Sequence, residues 1–155
     1  MTRVDTSHGS YILLTVAGTT YALPSREVRH MEMIDDITRV PNAPSFIDGV
    51  VFSRGQVVPV VNLRARFGFE RAAFDLRSRL IVVQSGSRLI GLVVDAAREF
   101  VAISPELVQP PHEALAGMSG RYVEGIASMG DRLILILSLE RILNFAEPLT
   151  VGLAD

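Results

Sequence analysis

The chain repeats itself, and that repeat constrains its fold more than any short motif does. The segment 10-SYILLTVAGTTYALPSREVRHMEMI-34 aligns without gaps on 79-RLIVVQSGSRLIGLVVDAAREFVAI-103, at an offset of 69. Ile12 falls over Ile81, Leu23 over Leu92, Arg29 over Arg98 and Ile34 over Ile103. A second block, 49-GVVFSRGQVVPVVNLRARFGF-69, aligns without gaps on 125-GIASMGDRLILILSLERILNF-145, at an offset of 76. Gly49 falls over Gly125, Leu63 over Leu139 and Phe69 over Phe145. The change of offset assigns the second half a longer loop, near 104–120. Both halves run strand, strand, strand, loop, hairpin, helix, which favours a duplication.

The repeated segments read as strands. They are short, rich in β-branched residues, and bounded by Gly, Pro, Ser, Asn or Asp. The first half contributes 10–17, 20–24, 28–34, 49–53 and 56–62; the second contributes 79–85, 88–94, 98–103, 121–128 and 132–138. Two short helices are expected, 62–67 and 138–145, opened by the capping residues Asn62 and Ser138. Pro59 cannot donate to a ladder, so it is expected at a bulge or on an edge side of its strand. Five strands per half suit a small closed barrel, which removes the exposed edges such apolar strands would otherwise carry. The expectation is an all-β chain of two similar five-stranded barrels with short helical turns, spanning 1–155 as one unit. The halves run approximately 10–69 and 79–145, and exchange of strands between barrels is left open. Each half is marginal alone, so the two are expected to share apolar surface.

Composition excludes several chemistries. All 15 basic residues are Arg, and there is no Cys. P-loop NTPases, protein kinases, Schiff-base enzymes and receiver domains all use a Lys, so none is the activity in its usual form. Thiolate nucleophiles, disulfides and Cys-based metal sites are excluded as well. A net charge of −2 with a pI near 5.9 gives no basic excess to grip phosphates, so no nucleic-acid partner is expected. No apolar run reaches the roughly 18 residues that cross a bilayer. Asp5 to His8 separate the first positive charge from the apolar stretch, so a cleaved signal is not expected and the cytoplasm is the expected location.

Candidate catalytic and metal-ligating residues are few. His8, His30 and His112 stand at no ligand spacing to one another and read as structural. Asp35-Asp36 has no lysine to accompany it as a receiver-type pair, and reads as a solvated turn. The 117-GMSG-120 run lacks the spacing of a nucleophile elbow. A loop covers 104–121, with one helical turn at 112-HEAL-115. No catalytic residue, metal or cofactor is expected. Arg54 is different. It stands at the tip of the hairpin 49–62, where its repeat counterpart is Gly130, so the hairpin does not need an arginine to fold. Its five-donor fork suits carboxylate pairing and interface anchoring.

The run 38-TRVPNAPSFIDGVVFSRGQVVPVVNLRARF-67 resembles the signature of CheW-like domains, the adaptors of bacterial chemosensory arrays. The family pattern is roughly V-P-N-A-P-x-F-I-x-G-V-x-N-L-R-G-x-V-x-P-V-V-D-L-R-x-x-F. Residues 88–112 and 122-YVEGIASMGDRLILILSLERIL-143 resemble it further, so the likeness covers roughly 10–145. It implies two SH3-like barrels and a non-enzymatic role: binding the cytoplasmic tip of a methyl-accepting chemoreceptor and the regulatory domain of a CheA-like histidine kinase. It implies a place at the inner face of the membrane through receptor arrays, without insertion. Because the likeness fills the chain, a lone adaptor is expected rather than a kinase fragment or hybrid.

Carried over residue by residue, the resemblance implies receptor-binding roles for Arg54, which matches the N-L-R-G arginine, and for Gly49 and Val28. His30 joins them, standing where an acidic partner of the arginine is common. The kinase-binding residues are unknown. The sequence departs from the pattern at Phe52-Ser53, which replaces Asn-Leu, and at His30. If His30 faces Arg54, that ion pair is lost and the arginine is open to an acidic receptor group, or the coupling differs. Two alternatives stand beside the adaptor. One is an adaptor of a non-flagellar system, serving pilus motility or cyclic-dinucleotide control. The other is a small β-barrel enzyme or ligand-binding protein, which would need a polar constellation inside an apolar pocket; no such cluster is visible in the sequence.

Overall fold

The two offsets recur strand by strand. The computed structural model of the chain describes residues 9–111 and 120–145. The first half supplies β1 (Ser10–Val16), β2 (Thr19–Pro24), β3 (Val28–Glu32), β4 (Ile47–Ser53), β5 (Gln56–Asn62) and the helix α1 (Leu63–Arg66). The second supplies β6 (Arg79–Ser85), β7 (Arg88–Val94), β8 (Ala96–Ala102), β9 (Val108–Gln109), β10 (Val123–Met129), β11 (Arg132–Leu137) and α2 (Leu139–Ile142). Asn62 Oδ1 accepts from the Ala65 amide and Ser138 Oγ from the Arg141 amide, each at 3.2 Å, so both helices carry the expected N-cap.

The strands form two sheets that trade their hairpins. One runs β3-β6-β7-β5-β4 and the other β8-β1-β2-β11-β10-β9. The order is the same in both once repeat counterparts are matched, but each sheet takes its leading hairpin from the opposite half. The first sheet is therefore contiguous in sequence, residues 28–94. The second is split between 10–24 and 96–137. Both hairpins are buried on both faces, which is why they read as near-continuous apolar runs rather than alternating ones.

Each sheet curls shut in the same way. Chain leaving β3 returns to the free edge of β4, where Thr38 and Val50 exchange backbone hydrogen bonds of 2.9 and 2.8 Å. Chain leaving β8 passes a 3-10 turn at Pro105–Leu107 and returns to β10 as β9. That return corrects the loop expected over 104–121: part of it is a strand, and 120–122 is a 3-10 turn. The turn expected at 112–115, Ser119, His8 and His112 lie outside the described residues. A glycine admits the returning chain in both barrels. Gly49 has φ +144°, and a Cβ there would overlap the Thr38 carbonyl; a Cβ on Gly125 would lie 2.9 Å from Val108 Cγ1.

Three cores result. Val51, Val58, Val60, Leu80, Val82 and Val93 fill the contiguous barrel. Leu13, Ala22, Ile103, Ala127, Ile134 and Ile136 fill the split one. The largest lies between the barrels and is built by the outward faces of the exchanged hairpins, with Ile12, Leu14 and Leu23 against Ile81, Val83 and Leu92. At about 1.5–3 kcal/mol for each fully buried aliphatic side chain, this shared layer binds the two barrels into one unit. Pro59 pairs with Val50. Because both polar backbone groups of Val50 point to Thr38, this is a non-hydrogen-bonded pair. The missing amide of Pro59 therefore faces away from β4, on the side where pairing with β7 begins only at Val60.

Candidate functional site

The contiguous barrel places two of the sequence's departures, His30 and Ser53, in one cluster. Alternation along β3 turns His30 and Glu32 toward the barrel interior, opposite Val82 and Leu80. Alternation along β4 turns Ser53 inward beside them. Ser53 Oγ donates to Glu32 Oε2 at 2.6 Å, and His30 Nε2 lies 2.7 Å from the same oxygen and 3.2 Å from Ser53 Oγ. A carboxylate only accepts, so His30 Nε2 carries the proton that faces it. Burial alone would raise the Glu32 carboxyl. The hydrogen bonds from Ser53 and His30, with the charges of His30 and Arg54, outweigh it and hold the group below its ordinary value. Where the family pattern has Leu, this chain buries a serine hydroxyl whose polarity is satisfied on the spot.

Arg54 follows Ser53 at the turn. Ser53 pairs with Gln56, leaving Arg54 and Gly55 as a two-residue loop with φ of +50° and +85°. This is the type I′ geometry that hairpins favour, and it usually takes Asn or Gly at the position Arg54 holds. The left-handed conformation costs a non-glycine residue about 1–2 kcal/mol. The side chain is exposed and, among the described residues, makes no hydrogen bond or ion pair; Glu32 is engaged with His30 and Ser53 instead. His30 does not pair with Arg54; its Nε2 faces Glu32 and Ser53.

His30 and Arg54 share one cavity of about 190 Å³ at the mouth of the barrel. Val58, Val82 and Leu89 form its floor; Ser53, Gln56 and Arg29 complete the rim. Arg29 also donates to the Gln84 side chain. A polar rim over an apolar floor is the constellation that the sequence did not reveal. Its signals were the i, i+2 spacing of His30 and Glu32 and a serine at an inward position of β4, but nothing local showed that the two strand ends meet. Gly49 and Val28 lie apart from this cavity. Gly49 is buried under Thr38, and Val28 pairs with Val83 beside the central core.

Outside the mouth, Phe52 and Val57 form a cross-strand pair on the outer face, 74% and 66% exposed. They are contiguous along the strands with Val50, Pro59 and then Val61 of the central core. A larger groove of about 680 Å³ runs along the loop 37–48 and Phe74, but its half-buried acid, Asp48, is already held by Asn62 and Arg71. A second arginine is structural. Arg66 is 6% exposed, donates to the Ile142 and Asn144 carbonyls at 2.8 and 3.1 Å, and lies 4.3 Å from the Phe46 ring centroid. It closes the C-terminal end of α2 from the other half of the chain.

Among the described residues, no group of three acidic or His side chains is arranged to hold a metal ion, and no helix is long and apolar enough to cross a membrane. The family model of the CheW-like domain matches residues 10–147. The chain is 27% identical over 143 residues to the chemotaxis protein CheW of Klebsiella aerogenes, covering 92% of this chain and 86% of that one. It is 30% identical over 133 residues to protein FrzA of Myxococcus xanthus, covering 84% and 82%. The crystal structure of the scaffolding protein TtCheW from Thermoanaerobacter tengcongensis superposes with a TM-score of 0.81 at 30% identity, covering 88% of this chain and 92% of that one.

Proposed function

The chain belongs to the CheW-like family, whose members are non-enzymatic scaffolds, and from that premise we propose that it couples chemoreceptor tips to a CheA-type histidine kinase in a chemosensory array. It does so in the cytoplasm, at the inner face of the membrane, without inserting. The observation that carries the reading is Arg54: at the position of the family's arginine, exposed, without a hydrogen bond or ion pair among the described residues, and kept at a strained φ that its counterpart meets with glycine. Strain retained at an exposed tip points to use by a partner. The receptor side is then the mouth of the contiguous barrel, with Arg54 and His30 at its rim and the Phe52–Val57 pair beside it. Gly49 and Val28 support that face through the backbone and the central core. Mechanistically, the scaffold transmits a receptor change as a population shift across packed interfaces.

The test is a pair of calorimetric titrations, one with the cytoplasmic fragment of the organism's own chemoreceptor and one with the regulatory domain of its CheA-like kinase. Micromolar binding to both is expected, with Arg54→Ala weakening the receptor arm. Failure to bind either partner would remove the proposed role and leave the fold. A second reading, an adaptor for a non-flagellar system, is favoured by the altered barrel mouth at His30 and Ser53 and by the exposed Phe52 beside it. Neighbouring genes for pilus motility or cyclic-dinucleotide control would select it.

A further inference from the structure

The mouth of the contiguous barrel has the features of a small anion site, and its chemistry can be read from its walls. The floor is hydrocarbon, from Val58, Val82 and Leu89, and the rim carries Arg29 and Arg54 as fixed cations. One carboxylate lies nearby, Glu32, and its Oε2 is occupied by both His30 and Ser53. Arg29 and Arg54 set against Glu32 leave one net positive charge from these three groups. The Arg54 fork makes no hydrogen bond or ion pair with any described residue, and Arg54 lines the cavity. The cavity, about 190 Å³, holds roughly six waters at ~30 Å³ each. That is room for a carboxylate on a two- or three-carbon apolar stem, with its oxygens at the rim and its methylenes on the floor.

We propose that this mouth is a carboxylate socket, which Arg54 closes by pairing with a short-stemmed acid whose methylenes enter the barrel. The inference rests on the receptor reading above when the acid is a glutamate side chain of the receptor tip; a free short-chain carboxylate shares the same chemistry. Arginine suits the task because its planar fork binds a carboxylate through two parallel hydrogen bonds. The apolar floor distinguishes the socket from a bare surface arginine, which would take any anion equally.

Propionate, the glutamate side chain cut free, is the probe, with propionamide as its neutral isostere. Two-dimensional NMR of the intact chain at constant ionic strength follows the Ser53 and Gly55 amides, the Arg54 Nε–H and the His30 ring. Propionate is expected to shift these signals saturably, with a dissociation constant of about 1–10 mM for so few atoms. Propionamide is expected to leave them unmoved, and Arg54→Gln to weaken propionate binding at least tenfold. If saturating receptor fragment abolishes the propionate response, the acid is the receptor's; if the fragment binds and the response persists, it is a free carboxylate. Equal responses to propionate and propionamide, or an unchanged response in Arg54→Gln, would overturn the socket while leaving receptor coupling intact. Wild-type binding of propionate with no binding of the receptor fragment would keep the socket and remove the receptor as its source.

Discussion

Arg54 and Gly130 stand at the same position of equivalent hairpin turns, and both hold positive φ, +50° and +60°. The first turn continues with Gly55 at +85°, the pattern of type I′; the second continues with Asp131 outside the positive range, the pattern of type II′. One fold thus makes the same connection twice, once with a relaxed residue and once with a strained cation.

Replacing Arg54 with glycine should therefore not harm the fold. Relief of about 1–2 kcal/mol of left-handed strain is set against about 0.5–1 kcal/mol of added chain entropy. The expected result by calorimetry is a melting temperature unchanged or raised by up to about 6 °C, together with weakened receptor binding. A clear fall in melting temperature would make the side chain structural.

Gly49→Ala should behave in the opposite way. An added Cβ overlaps the Thr38 carbonyl, and the backbone φ of +144° disfavours any side chain. The Thr38–Val50 bridge that closes the barrel must then open. A loss of about 3 kcal/mol is expected, read as a lower urea midpoint, and any loss of receptor binding should track that loss of fold.

Two carboxyls give the stability curve opposite slopes. The Glu32 carboxyl lies below its ordinary value in the fold, so its charge stabilises the native state above an ordinary pKa of 4.5. That contribution is lost as pH falls through the depressed native value. Glu27 is the reverse. Burial pushes it up, Arg26 opposes and Glu124 adds, and one of its oxygens is buried without a hydrogen bond. Its ionised form therefore costs stability above the raised native value, and the cost vanishes below the ordinary one. Melting curves from about pH 3 to pH 8 should show Glu27→Gln above the wild type at neutral pH and Glu32→Gln below it. The Glu27 difference should close as pH falls to its ordinary value, whereas the Glu32 difference should begin to narrow only below its own ordinary value.

Arg66→Met should lower stability by about 3 kcal/mol, because the last carbonyls of α2 lose their donor in a buried setting. The fall in melting temperature should come without a selective effect on propionate binding at the barrel mouth, since Arg66 lies between the barrels.

Phe52→Asn restores the family's residue at a position 74% exposed. No change in melting temperature is expected, since nothing buried is altered. Receptor affinity should fall severalfold if the Phe52–Val57 pair is an apolar shoulder of the interface; an unchanged affinity would place that pair outside it.

Strand positions were legible because offsets and alternation are local properties, and β1, β2, β5, β6, β7 and β11 follow them to within a residue. The hairpin exchange was not. Both β1–β2 and β6–β7 are apolar on both faces, so neither sequence states which barrel takes it. β9 was hidden because two residues of a Pro-bounded segment carry no period. At the site, the resemblance pointed to Arg54 and Gly49 alike, but physical reasons separate them: one is exposed at a turn, while the other is a backbone crossing. The Glu32 cluster was invisible because it joins strand ends 21 residues apart in sequence.

The traded hairpins also set an order on birth. Emerging from a ribosome, the contiguous barrel has all its strands once Val94 is out. The other barrel must wait for Leu137. Through that interval β1 and β2, apolar on both faces, can lean on the first barrel through the shared layer but have no permanent partners along β11. The nascent chain thus exposes its stickiest segment longest, and a pause in translation between those two points is where it is most exposed to misfolding or to capture by a chaperone.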